Sequence, residues 1–124
     1  MLLLALVLAC APAPSGAPAS APAKPASPSD PLLAAMAGKP LVETHHGSCR
    51  MACRHIDRDE VEDVLRTGRI DPSRTRNDGS CPSHAVEGTT DDGQRVRVVF
   101  AACDDVTKVV TAIDLGRDWP CDCP

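Results

Sequence analysis

Apolar residues change their period along this chain, and the changes mark its elements. Between residues 45 and 67 they recur three and four apart, the spacing of one helix face. Thr44 is an N-cap for a first helix from His45 to Arg54. On it Cys49, Ala52 and Cys53, followed by Ile56, share one face, which the pattern assigns to the core. His46, Arg50 and Arg54 fall four apart in a stripe beside that face. A second helix is signalled more fully. Asp57 caps it, Glu60 completes a capping box, and Ile56 and Val61 take the staple positions. Val64 and Leu65 continue the apolar face, and Gly68 stops it. Arg58 and Glu62, then Glu62 and Arg66, are spaced for pairing on the exposed side.

Asp71 to Ser80 is polar, with turn signals at Asp71-Pro72 and Asn77-Asp78-Gly79, and it reads as a loop. Beyond it the period falls to two. Cys81–Thr90, Gln94–Cys103 and Val106–Leu115 read as antiparallel strands. Asp91-Asp92-Gly93 suits a three-residue hairpin loop with its glycine in the left-handed region. That loop sets Thr90 opposite Gln94 and so fixes the register. Glu87 then meets Arg97 as an opposite-charge pair, Val86 meets Val98, and His84 meets Phe100. Cys81 meets Cys103 at a separation a disulfide can span. A tight turn at Asp104-Asp105 puts Val109, Thr111, Ile113 and Leu115 on the face of Val96, Val98 and Phe100. The predicted fold is α+β: two N-terminal helices on a three- to four-stranded antiparallel meander.

Upstream the pattern is different in kind. Residues 1–9, MLLLALVLA, are an apolar run of signal-peptide type, too short to cross a bilayer as a helix. The run ends in Val7-Leu8-Ala9-Cys10, which resembles a bacterial lipobox. The resemblance implies cleavage before Cys10 and lipid on its thiol, hence a membrane anchor without a span. Residues 10–43 are then a linker. From Ala11 to Pro31 it holds 7 Ala, 7 Pro and 4 Ser, a composition that cannot bury a core. Asp30 and Gly38 bracket one short helix with proline in its first turn. Residues 44–124 form the folded domain.

Composition narrows the function. A chain of 124 residues excludes a multidomain enzyme and a dinucleotide-binding fold with its long βαβ units. With one Phe, one Trp, no Tyr and a formal charge of −4, it lacks the basic, ring-bearing surface of a nucleic-acid binder, and no nucleic acid is expected as a partner. Six of the 7 cysteines lie beyond Thr44. In an exported chain that even number implies three disulfides, which a domain with so few large apolar residues needs. Cys81–Cys103 follows from the register. Cys49 and Cys53 then reach the tail cysteines, either as Cys49–Cys121 with Cys53–Cys123 or as the crossed pair.

The candidate chemistry is sparse. His46, Arg50 and Arg54 could hold an anion, with two guanidinium groups for a phosphate or carboxylate and a histidine for proton transfer. The same stripe also reads as a helix edge paired with the domain's many acids. His45, His46, Cys49 and Cys53 have spacings that suit zinc, but outside a reducing cell the thiols form disulfides, and no metal or cofactor is expected. His84 reads as a buried, hydrogen-bonded core histidine. No nucleophile-elbow pattern surrounds Ser48 or Ser83, so no catalytic residue is named. Trp119, beside Cys121 and Cys123, reads as a plug that packs under the tail.

The order of signals resembles an uncharacterised bacterial domain family. Its members open with a His-x3-Arg-x3-Arg helix, add a capped helix and end in a meander. The residues that carry the resemblance are His46, Arg50 and Arg54, then Ile56 to Gly68, Val86 to Thr89, Gly93 to Val99 and Val110 to Ile113. That family is similar in layout to small RelE- or barnase-like ribonuclease toxins, which supports the fold more than any activity. The expected function is an envelope lipoprotein carrying a non-enzymatic binding module. It would be lipid-anchored in a bacterial membrane, with its domain facing the periplasm or exterior and an envelope protein or anionic ligand as partner. The alternative is a toxin-like ribonuclease relative using the His/Arg stripe.

Overall fold

The computed structural model describes residues 30–123; the apolar leader, Cys10 and the linker as far as Ser29 lie outside the described residues. The element order is α1 (Pro31–Ala37), β1 (Leu41–Glu43), α2 (His45–Cys53), α3 (Arg58–Thr67), β2 (Arg69–Arg76), β3 (Ser83–Thr89), β4 (Arg95–Ala102) and β5 (Thr107–Asp114). The strands form one sheet in the order β1-β5-β4-β3-β2. The fold is α+β, as the pattern predicts, with helices against one face.

Local chemistry explains the helices. Asp57 accepts from the Glu60 amide at 2.8 Å while Glu60 accepts from the Asp57 amide at 3.1 Å, so α3 begins on a complete capping box. Its apolar stripe of Val61, Val64 and Leu65 is buried. Arg58 pairs with Glu62, but Arg66 pairs with Asp63 rather than Glu62. Thr44 caps α2 by accepting from the Gly47 amide at 2.9 Å. The inward face of α2 is Gly47 and Met51, not the expected Cys49, Ala52 and Cys53. Ala52 is exposed, and both cysteines turn to the tail. Gly47 is the reason: a Cβ there would lie 2.3 Å from the Val109 carbonyl oxygen, so only glycine lets α2 sit this close to β5.

Three features enlarge the expected meander. The first is β2, which the polar residues from Asp71 onward disguise as a loop; it pairs antiparallel with β3 as an edge strand. The second is β1, three residues that run parallel to the start of β5 and make the sheet mixed. The third is α1, capped by Asp30 and packed on α3. Its Leu33 and Met36 are each 1% exposed and belong to the core. Thr107 donates its buried hydroxyl to the Met36 carbonyl at 2.8 Å, which ties α1 to β5. The packed unit thus takes in residues ahead of Thr44.

The central hairpin has the predicted register. Ser83 faces Ala101, His84 faces Phe100 and Glu87 faces Arg97, with Gly93 at φ 87° in the loop. Val86, Val96, Val98 and Phe100 turn to the helices and are fully buried. The β4–β5 pairing departs from expectation. Phe100 pairs with Val109 but Val99 pairs with Thr111, so Val110 is an extra residue, a β-bulge. Beyond the bulge the alternation inverts. Ala112 faces the core, while Thr111 and Ile113, expected there, are only half-buried and Ile113 lines the opposite face.

Candidate functional site

The His/Arg stripe is largely absorbed into structure. Arg50 donates Nε to His46 Nε2 at 3.4 Å, along one edge of α2. Arg54 donates to the Ala112 carbonyl at 2.5 Å. That carbonyl lies on the β5 edge beyond the reach of β1, whose last partner is Val109. Burial lowers the Arg54 pKa, as does the neighbouring Arg50 charge, while Asp114 and Asp118 oppose the shift. The side chain seals a strand edge.

Around Arg54 the hairpin and the tail meet. Gln94 donates Nε2 to the Arg54 carbonyl at 2.8 Å and to Asp114 Oδ2 at 3.0 Å. Trp119 donates its indole N–H to the same carboxylate oxygen at 2.9 Å. The Trp119 bond first, and the Gln94 bond second, hold the Asp114 pKa below the ordinary carboxylate range. Trp119 also stacks on His55, with ring centroids 4.8 Å apart, and the Arg117 guanidinium lies 3.8 Å from its ring centre. His55 ends α2 at φ 55°, a left-handed position usually given to glycine; the Ile56 amide closes on the Met51 carbonyl across it. The indole thus has its polar partner and its stacking partners at once. The tail is fixed by Cys49–Cys123 and Cys53–Cys121, the crossed arrangement of the two left open. Those thiols are consumed and cannot serve as zinc ligands. His84 is buried on the helix side, with Nδ1 at 3.4 Å from the Thr75 hydroxyl.

The opposite face of the sheet carries a groove of about 680 Å³. Its origin is in the strand rows. Register sets Arg76, Ser83, Ala101 and Lys108 side by side across β2, β3, β4 and β5. The two central strands contribute short side chains and the two outer ones long cations, so the middle of the row is low and its ends are high. The next row has Ala85 and Val99 at its centre. Val110, extruded by the bulge, and Ile113 extend this aliphatic floor. One wall comes from β2. Between the pairs Asp71–Ala85 and Arg76–Ser83, four residues of β2, Pro72 to Thr75, stand against one of β3, and Ser73 to Arg76 line the groove. The Cys81–Cys103 bridge lies one row beyond Ser83 and Ala101 and closes that end.

Charge in the groove runs against that of the chain. Arg74, Arg76, Arg97 and Lys108 line it, and Asp78 is the carboxylate among them. Arg97 is bound to Glu87 at 2.6 Å and Arg74 to Asp71 at 3.3 Å. The Asp71 pKa is lowered, mainly by the Ser73 hydroxyl and amide, then by Arg74. Arg76 and Lys108 have no ion-pair partner among the described residues. Sequence reasoning missed this site because its wall was read as a loop. The available signal was the run of small residues, Ser83, Ala85 and Ala101, on the strand face opposite Val86 and Phe100.

No curated protein matches the chain, and no solved structure does. A family model does match, from Thr44, the cap of α2, to Asp114, the last residue of β5; α1, β1 and the tail cysteines fall outside it. The match spans residues 44–114, and the chain belongs to that family, described as Domain of unknown function (DUF4258).

Proposed function

We propose that this chain is an exported binding module, tethered to a bacterial membrane through lipid on Cys10, which presents its sheet groove to an envelope partner or an anionic ligand. One observation carries the reading: among the described residues helices cover a single face of the sheet, and the other face keeps a groove whose Arg76 and Lys108, on opposite walls, have no ion-pair partner there. Three disulfides in so small a domain support an oxidising compartment. The Ala/Pro linker would give the domain a maximum reach of about 65 Å from the bilayer, at roughly 3.1 Å per residue. The His/Arg stripe is the weaker anion site, because Arg54 is committed to the Ala112 carbonyl. A ribonuclease would need a surface on which bases stack. Phe100 is buried under the helices and Trp119 is held by the tail, so neither ring lines the groove.

Two measurements test the reading. Cys10→Ser should move the protein from the membrane pellet to the soluble fraction; retention at wild-type levels refutes the tether. A photo-crosslinking residue at position 110, in the groove, should give a discrete adduct in intact cells. The same residue at position 52, exposed on α2, should not. Equal adducts from both positions, or none from position 110, refute the groove as the binding face. Release of RNA fragments by purified protein would favour the ribonuclease alternative.

A further inference from the structure

We propose that the groove is a binding site for a medium-chain fatty carboxylate, with the carboxylate between Arg76 and Lys108 and the alkyl chain along the valine floor. The inference rests on the groove being a binding face, and it names the ligand. Size comes first: about 680 Å³ lies within the roughly 300–1,000 Å³ range of small-ligand sites. Width is set by three strand spacings between β2 and β5, about 14 Å between backbones. That suits one extended chain flanked by two long side chains better than a protein surface.

Chemistry divides the groove along its length. At the end closed by Cys81–Cys103, Arg76 and Lys108 have no ion-pair partner among the described residues, and Asp78 is the carboxylate in the same lining. Two cations against one carboxylate leave a single positive charge to be neutralised, which matches a carboxylate better than a doubly charged phosphate monoester. Ser83, in the same row, adds a hydroxyl donor. Toward the other end the lining turns aliphatic, with Ala85, Val99, Val110 and Ile113. The cation there, Arg97, is already neutralised by Glu87. A ligand charged at one end and saturated along the rest satisfies both halves. A free carboxylate such as acetate would leave the aliphatic floor wet, and a sugar or nucleotide would leave its own hydroxyl groups unpaired against valines.

The test uses the full oxidised chain carrying Cys10→Ser, so that no covalent acyl group competes. Dodecanoate, acetate and dodecyltrimethylammonium are titrated calorimetrically, the two amphiphiles below their micelle concentrations. Dodecanoate should bind at least tenfold more tightly than either of the others. Arg76→Gln with Lys108→Gln, both on exposed side chains, should weaken dodecanoate at least tenfold. Val99→Asp should abolish binding while peptide mapping still finds Cys81 joined to Cys103. Equal affinity for acetate removes the floor from the argument, equal affinity for the cationic amphiphile removes the walls, and absence of dodecanoate binding removes both; each overturns the proposal. Wild-type affinity in the double variant overturns it as well. If position 110 still crosslinks in cells while dodecanoate fails to bind, the ligand assignment falls and the binding-module reading stands.

Discussion

The two helix-to-tail bridges should behave as one staple with a spare, not as two independent ones. Cys49–Cys123 and Cys53–Cys121 span sequence separations of 74 and 68. In the chain-entropy model either bridge alone restricts the unfolded chain by about 4.4 kcal/mol. Once one is closed, the other links sites already held together. It then closes a small ring, with sequence separations of four along α2 and two along the tail, for which the same relation gives about 2 kcal/mol. Removing one bridge as a Cys→Ser pair should therefore cost about 2 kcal/mol, and removing both about 6–7 kcal/mol. The shortfall from independence, about 2 kcal/mol, is the coupling a double-mutant cycle would report. A small domain has about 5–15 kcal/mol in all, so the doubly stripped chain should be close to unfolding. The assay is urea unfolding of the four oxidised species, each with its own slope, because unlinking expands the unfolded state. Single-bridge losses of about 4 kcal/mol each that add in the double variant would refute the shared-loop argument. Losses near zero would refute the docking of the tail altogether.

Other substitutions test the sheet edge and the helix seat. Gly47→Ala places a Cβ against the Val109 carbonyl and should destabilise the domain by about 1–3 kcal/mol in urea unfolding; an unchanged midpoint would mean that α2 can lift away freely. Arg54→Gln leaves the Ala112 carbonyl unpartnered, at a cost of about 1–3 kcal/mol, whereas Arg50→Gln should change little; equal effects would restore the two arginines as a pair. Asp114 has its folded pKa lowered, so its stabilisation is present above the ordinary carboxylate range and is lost as pH falls through the folded value. Urea midpoints at pH 7 and pH 3 should therefore fall less in Asp114→Asn than in wild type, and equal falls would refute the role given to the Trp119 and Gln94 bonds.

What could be read in the sequence was chemistry that acts over a few residues. The Asp57–Glu60 box and the Asp91-Asp92-Gly93 loop each fix geometry locally, and from them came α3, the hairpin register and the Cys81–Cys103 pairing. What could not be read depends on a partner elsewhere. β2 has no apolar alternation and contains Pro72, and β3 alone makes it a strand. β1 is three residues long and exists because β5 offers an edge. The Val110 bulge is invisible because Val109 and Val110 are both apolar, so the pattern fits either phase. On α2 the cysteines mimicked a core face, although what they contact is the tail. The groove needed β2 as a wall and the bulge as part of its floor, so it was beyond reach until both were placed.

The placement of the sealed edges agrees with the groove as the proposed binding surface. β1 covers β5 as far as Val109, Thr44 takes the carbonyls of Val109 and Val110, and Arg54 takes that of Ala112. The tail, bound twice to α2, then locks this side. At the other edge β2 is exposed, but its charged residues and Pro72 oppose addition of a further strand. The helix face is filled by the core. Two of the sealing devices, β1 and the tail, lie outside the stretch that matches the family. Neither device touches the face bearing Arg76, Ser83, Ala101 and Lys108. Among the described residues, one concave face of charge opposite to that of the chain is left uncovered, which is what the proposed binding role requires.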